Sequence, residues 1–247
     1  MKVIVYGAEG TMGKLLADQL TALTIETILV DPMTKTESIY ASLNNDFNAD
    51  VLIDFSHFSQ TETLVNYALK TKLPLVIATT GHHEHDEKRF QEAAKTIPIF
   101  KSANMAFGIH LLHKILKEYT SLLEDAYDIE IIEKHHKHKI DAPSGTAYLL
   151  AKSIQAGSHH EKTILTNRSG LKESRNSHEI GISSVRGGTI VGEHTVSFIG
   201  ESDIIELSHS AQSKKLFTEG ALKAAYYIIK QKPGLYTMDD LVEERRG

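Results

Sequence analysis

Through the first hundred residues, short runs of consecutive aliphatic side chains alternate with longer stretches whose apolar residues recur every three or four positions. The runs at 3–6, 27–30, 51–55, 75–79 and 97–100 predict strands buried on both faces. The stretches at 12–23, 60–69 and 84–94 predict amphipathic helices between them. Strands joined by helices form a parallel sheet through right-handed crossovers. The fold class read from this pattern is α/β, beginning with a doubly wound Rossmann-type domain.

The pattern changes after a helix predicted over 107–123. A strand at 127–135 and a helix at 146–154 follow. Then 180–182, 195–199 and 204–207 alternate as strands with no helix between them, and Gly187, Gly188 and Gly200 supply turns. Such a succession predicts an α+β domain with a mixed or antiparallel sheet. The polar segment at 157–179 reads as a long mobile loop. A last helix at 216–229, with Phe217, Leu222, Ala225, Tyr226 and Ile229 on its apolar stripe, is expected to return to the first domain. The expected domains are 1–106 with 215–247, and 107–214.

Composition narrows the chemistry. The chain has no cysteine, which excludes disulfides, thiolate metal sites and cysteine nucleophiles and fits a reducing compartment. The N-terminal apolar run breaks at Gly7, too soon for a signal peptide, and no apolar run approaches the ~20 residues that cross a bilayer. A soluble, cytoplasmic protein is expected, with no membrane partner. The formal net charge of -5 argues against a nucleic-acid partner.

Between the first strand and first helix lies Gly7-Ala8-Glu9-Gly10-Thr11-Met12-Gly13. A dinucleotide loop needs one glycine for the turn, one where the backbone nears a pyrophosphate and one where helix and strand touch. The spacing here is G-x-x-G-x-x-G, and Asp31 ends the second strand, where an acid accepts ribose hydroxyls. NADH or NADPH is the expected cofactor. Pro32 stands where a basic residue would suit a 2′-phosphate and Lys35 is near enough to compensate, so both remain open, with a lean to NAD or dual use. Ala78, Thr79 and Thr80 after the fourth strand, and Ser102, Ala103, Asn104 and Met105 after the fifth, lie at strand carboxyl ends. They are placed to line the ribose and nicotinamide or to serve as ordinary turns.

The densest chemistry lies further on, where six consecutive basic or imidazole residues, Lys134 to Lys139, run into Ile140-Asp141-Ala142-Pro143-Ser144-Gly145-Thr146-Ala147. Cations beside a helix N-terminus make an anion site, because free N–H groups and the helix dipole act together. If the strand continued, His135, Lys137 and Lys139 would share one face, with Lys139 about 13 Å beyond His135 unless the chain bends near Ile140. Ser144 or Asp141 would cap the helix.

Together the glycine loop, Asp54-Phe55-Ser56, Thr79-Thr80-Gly81, Ala103-Asn104-Met105 and the Glu133–Ala147 motif resemble the dihydrodipicolinate reductase family over essentially the full length. Val191-Gly192-Glu193-His194 and the tail from Gly234 to Met238 extend the match. The resemblance implies a cytoplasmic homotetramer of the diaminopimelate–lysine pathway, using NADH or NADPH to reduce a cyclic imine dicarboxylate. It implies His135 as proton donor, Lys139 as second catalytic residue, and His136, Gly145 and Thr146 as substrate contacts. The cofactor positions it implies are Gly7, Ala8, Glu9, Gly10, Thr11, Met12, Asp31, Ala78, Thr79, Thr80, Ser102, Ala103, Asn104 and Met105. The first domain would then bind the dinucleotide, and the second would bind substrate and build the oligomer through its sheet. Ala78 departs from the glycine usual at its position. An imidazole with pKa near ~6.5 suits protonation of the enamine carbon left by hydride delivery.

Rival readings are weaker. A charge run alone is often a solvated face. His135, His136 and His138 alternate across a strand with no carboxylate to complete a compact set, so no metal is expected. His82, His83 and His85 read as the polar first turn of a helix, and His159 and His160 fall in the expected loop. Arg186, before Gly187 and Gly188, reads as a turn arginine by default, with a reach toward the ligand from the second domain as the alternative. A dinucleotide sensor would need the Gly7–Asp31 apparatus but no proton donor.

Overall fold

The computed structural model describes residues 1–44 and 46–244. The chain forms two compact units: residues 1–107 together with the segment from Lys214 onward, and Gly108–Ser213.

The first unit contains β1 (Lys2–Tyr6), α1 (Thr11–Ala22), β2 (Glu26–Val30), β3 (Val51–Asp54), α2 (Thr61–Thr71), β4 (Leu75–Ile77), α3 (Glu84–Ala93) and β5 (Pro98–Lys101). α6 (Lys215–Ile228), β11 (Gly234–Tyr236) and α7 (Met238–Glu244) complete it. Its six strands are all parallel, in the order β11-β5-β4-β3-β1-β2. Alternate residues of the apolar strands feed opposite faces. Val3, Val5, Val51, Ile53 and Val76 pack with Leu16 and Leu20 of α1 and with Ala221, Ala225 and Ile228 of α6. Ile4, Leu52, Leu75 and Ile77 pack with Leu64 and Ala68 of α2 and Phe90 of α3. The last long helix therefore does return to this core, through Ala221, Ala224, Ala225 and Ile228, whereas Tyr226 of the expected stripe is exposed.

The second unit contains α4 (Phe107–Leu123), β6 (Asp128–His135), α5 (Gly145–Gly157), β7 (Thr163–Leu165), β8 (Glu179–Arg186), β9 (Gly192–Ile199) and β10 (Ile204–Ala211). Its sheet runs β10-β9-β6-β8-β7, with β6 antiparallel to β9 and parallel to β8. Leu116 of α4 and Leu150, Ala151 and Ile154 of α5 cover one face, against Ile129, Ile131, Ile180, Val196 and Phe198. The opposite face exposes Ile132, Val185, Ile199 and Ile204.

Two expectations need correcting. The segment at 157–179 is not simply a loop, because β7 lies within it and pairs with β8. It is also tied down by two buried or half-buried cations. The Lys162 ammonium donates to the Ser177 carbonyl at 3.1 Å and pairs with buried Glu124. The Arg175 guanidinium donates to Asp128, Glu130 and the carbonyls of Ile129, Asn176 and Glu179. Polar composition hid this, since the anchors are charged side chains rather than apolar ones. The strand ends at His135 as expected, and the second correction is to the bend, which comes as a turn at Lys137 and His138. The chain therefore bends before Ile140, and the shared face expected for His135, Lys137 and Lys139 does not form.

Candidate active site

The last four residues of β6 carry the centre of the site. Burial alternates along the strand, so Ile129, Ile131, Glu133 and His135 all face the helices. Glu133 is thus drawn into the core as the continuation of an apolar row, with no exposed surface. Besides the Ser184 hydroxyl, four donors meet its carboxylate. His135 Nδ1 lies 2.6 Å from Oε2, Arg186 donates from Nη1 to Oε2 and from Nη2 to Oε1 at 2.7 Å each, and the Ser144 N–H donates to Oε1 at 3.1 Å. Burial pushes the Glu133 carboxyl up, but hydrogen bonds from Arg186, Ser184 and His135 outweigh it and bring it down to about 2.

Arg186 carries the network onward. Its Nη2 also donates to the Asp141 carbonyl at 2.6 Å, and the Asp141 carboxylate accepts from Lys139 Nζ at 2.7 Å. That bond to Lys139 holds the Asp141 carboxyl below its ordinary value. His135 and Lys139 are therefore the two ends of one contact chain, through Glu133, Arg186 and Asp141. The turn after His135 is what permits it. Lys139 N–H donates to the His136 carbonyl, and Gly187 N–H to the His135 carbonyl.

The helix N-terminus lies against the same carboxylate. Ser144 is the cap of α5, its Oγ accepting from Ala147 N–H at 3.1 Å, so of the two expected caps Ser144 serves. Gly145 and Thr146 form the first helical positions, and a Cβ on Gly145 would meet nothing within 4 Å. The space before this helix end is open. Ser144 Oγ also lies 2.9 Å from Nε2 of buried His194. Burial, then the neighbouring His135, lower the His194 pKa to about 4, so its ring is neutral near pH 7. His136, half-buried, has its Nδ1 out of solvent with no partner among the described residues.

Glu133, Arg186 and His194 are site residues that the sequence reading did not assign. For Glu133 the signal was present: strand alternation places it in line with Ile129 and Ile131, two positions before His135. Arg186 and His194 come from β8 and β9, and only the pairing of those strands with β6 brings them in.

The glycine loop in the first unit has the shape that a nucleotide requires. Gly7 has φ of 85°, and a Cβ there would lie 2.7 Å from the Phe55 carbonyl. A Cβ on Gly13 would lie 2.8 Å from Ala8 Cα, the close helix–strand approach expected of the third glycine. The loop spends four of its own amides internally. Gly7 and Ala8 donate to the Val30 carbonyl, Glu9 to Asp31 Oδ2 and Gly10 to the Gly7 carbonyl. Thr11 and Met12 open α1, and their N–H groups have no intrahelical acceptor, as a pyrophosphate site needs. Beside them a cavity of about 370 Å³ is lined by Gly7, Gly10, Asp31, Pro32, Met33, Phe55, Ser56, His57, Ser59 and Gln60. Both Asp31 oxygens accept a backbone amide, from Glu9 and from Met33, so its carboxylate braces the loop as well as facing the cavity. Glu9 in turn accepts from Thr34 and Thr36 hydroxyls at 3.0 and 2.7 Å.

The other two loops lie at strand carboxyl ends. Ala78, Thr79 and Thr80 follow β4, with Ala78 N–H donating to the Asp54 carbonyl. Ser102 Oγ donates to the Asn104 carbonyl and Asn104 Oδ1 accepts from Ala106 N–H, while Ala103 is exposed. The Ala8 and Met105 side chains lie in the core, so these two positions offer a ligand only their backbone. His83 caps α3 with His85 in its first turn, and the His159 amide is held by Glu124. Among the described residues, no three His, Cys, Asp or Glu side chains gather in a metal-binding arrangement, and no helix is long and apolar enough to cross a membrane.

Comparison with known proteins gives the family. Residues 1–105 match the family described as dihydrodipicolinate reductase, N-terminus, and residues 108–242 match dihydrodipicolinate reductase, C-terminus. The chain belongs to the dihydrodipicolinate reductase family. Among its relatives, the 4-hydroxy-tetrahydrodipicolinate reductase of Caldanaerobacter subterraneus subsp. tengcongensis is 46% identical over 250 residues, covering 99% of each chain. The enzyme of the same name from Clostridium novyi is 42% identical with the same coverage. A solved dihydrodipicolinate reductase from Paenisporosarcina, described as dipicolinate-bound, shares the fold with a TM-score of 0.80. It is 22% identical, covering 97% of this chain and 98% of that one. A probable dehydrogenase from Thermotoga maritima shares the fold more loosely, with a TM-score of 0.57 at 13% identity over 98% and 92% of the two chains.

Proposed function

We propose that this chain is a 4-hydroxy-tetrahydrodipicolinate reductase, an NAD(P)H-dependent oxidoreductase of the diaminopimelate–lysine pathway. The observation that carries the reading is the contact chain from His135 to Lys139 beside the N-terminus of α5, in a member of this family. A nicotinamide nucleotide, held by the amides of Thr11 and Met12 and by Asp31, supplies hydride when bound. Loss of the substrate's 4-hydroxyl as water leaves a conjugated imine, and after hydride adds to it His135 gives its proton to the electron-rich carbon that results. Lys139 and the N–H groups of Gly145 and Thr146 hold the substrate carboxylates, with His136 beside them. The dipicolinate carried by the Paenisporosarcina relative is a flat ring diacid of the kind this reading requires.

The carboxylates of Glu9 and Asp31 favour NADH over NADPH, since both stand where a 2′-phosphate would bring further negative charge. Hydrogen bonds from Thr36 and Thr34 lower the Glu9 pKa and keep it ionised. The exposed apolar face of the second unit's sheet, with Ile132, Val185, Ile199 and Ile204, supports assembly as a homotetramer through that face. A cytoplasmic location belongs to the same reading.

The deciding experiment is a steady-state assay with enzymatically made substrate, following oxidation of NADH and NADPH in parallel. Substrate-dependent oxidation of either supports the function, and none with both overturns it.

A further inference from the structure

We propose that Glu133 is the positioning residue for His135: it fixes which imidazole nitrogen carries a proton, and thereby which one is left for the substrate. The inference deepens the reductase reading and rests on His135 being the proton donor.

The argument is one of donors and acceptors. Glu133 receives two guanidinium N–H groups, one backbone N–H and the His135 ring nitrogen on its two oxygens. A carboxylate so surrounded is ionised and only accepts. His135 Nδ1, at 2.6 Å, must therefore be the donor. In the neutral ring Nε2 is then the bare nitrogen, and in the charged ring the Nε2 proton is the one free to leave. Gly192 on the neighbouring strand keeps that nitrogen approachable, because a Cβ there would lie 3.0 Å from Nε2. The same carboxylate holds the Ser144 amide, so the proton donor and the anion-holding helix end share one brace.

Glutamine at 133 would keep the shape and reverse the logic. Its NH₂ must take one oxygen position. At Oε1 it would face two donors, Arg186 Nη2 and Ser144 N–H. At Oε2 it would face one fixed donor, Arg186 Nη1, and His135, whose ring can answer by moving its proton to Nε2. The Ser184 hydroxyl, which can donate or accept, serves either arrangement, so the second loses fewer hydrogen bonds and Glu133→Gln should switch the tautomer. It should also leave the charged ring with no acceptor for its Nδ1 proton.

The test is long-range ¹H–¹⁵N correlation on ¹⁵N-histidine-labelled protein, with the His135 signals assigned from their loss in His135→Gln. Wild type should show neutral His135 protonated at Nδ1. Protonation at Nε2 would overturn the proposal whether or not any variant folds. Glu133→Gln should show the switched tautomer, with kcat lower by about 100- to 10,000-fold and KM for NADH close to wild type. Unchanged kcat, or an unchanged tautomer in the folded variant, would also overturn it. A wild-type protein with the Nδ1 tautomer and no reductase activity would instead sink the functional reading and leave the geometric one standing.

Discussion

His135 and Arg186 are register partners on β6 and β8, and both reach the same carboxylate, that of Glu133. An acid of this kind would ordinarily be costly in a sheet core. Here each oxygen is met by at least two donors, and a full charge is stabilised where no water reaches it. The candidate proton donor thus stands on a buried ion pair rather than on a surface loop.

Replacing the donor itself gives the first expectation. His135→Gln should lower turnover by about 100- to 10,000-fold, the range for loss of a general acid. NADH affinity, measured by fluorescence titration, should stay near wild type. Retained turnover would remove His135 from the role.

Lys139 and Asp141 give a paired expectation. Lys139→Ala should lose activity and weaken binding of pyridine-2,6-dicarboxylate. Asp141 competes with a bound carboxylate for the same ammonium, through a bond to an exposed partner. Asp141→Asn should therefore tighten that inhibitor by about fivefold or less, the scale of an exposed ion pair. Calorimetric titration of the two variants checks both directions.

Acid stability should fall in two steps. The folded pKa of His194 is lowered to about 4, so the unfolded chain binds the extra proton first. Its contribution is complete above the unfolded value of ~6.5 and is lost as pH falls towards 4, on the order of 3 kcal/mol. Glu133, lowered to about 2, contributes above its unfolded value and loses that contribution as pH falls further. Urea midpoints from pH 7 to pH 4 should therefore decline. His194→Gln, which keeps an acceptor for Ser144, should flatten the decline.

Glu9 gives an expectation for the cofactor. Glu9→Gln should raise kcat/KM with NADPH relative to NADH by about two- to fivefold, since a solvated charge near a 2′-phosphate acts through water and is screened by salt. An unchanged ratio would show that Asp31 alone governs the choice.

The sequence made the first unit legible because its strands are continuous apolar runs and its glycines stand where turns and close contacts require them. β7 and β11 escaped, as three-residue strands carry almost no periodic signal. α7, seven residues long, escaped for the same reason. The Ser144 cap was readable from local spacing, whereas the roles expected of His135 and Lys139 came from the family resemblance. The bend was placed too late because nothing in Lys137 or His138 marks a turn; the Gly188 carbonyl, just past the neighbouring strand β8, accepts the Lys137 amide there. Arg186 was read as a turn residue because its partner lies 53 positions away in the chain.

The ladder that joins β6 to β8 and β9 has an evolutionary corollary. Side chains switch sides with every step along a strand. A one-residue insertion inside β8 would therefore carry Arg186 to the outer side with Val185, and an insertion inside β9 would do the same to His194. Indels compatible with catalysis must fall in the connection after Gly188 rather than in either strand, so the lengths of these two strands should drift far less than the lengths of the turns between them.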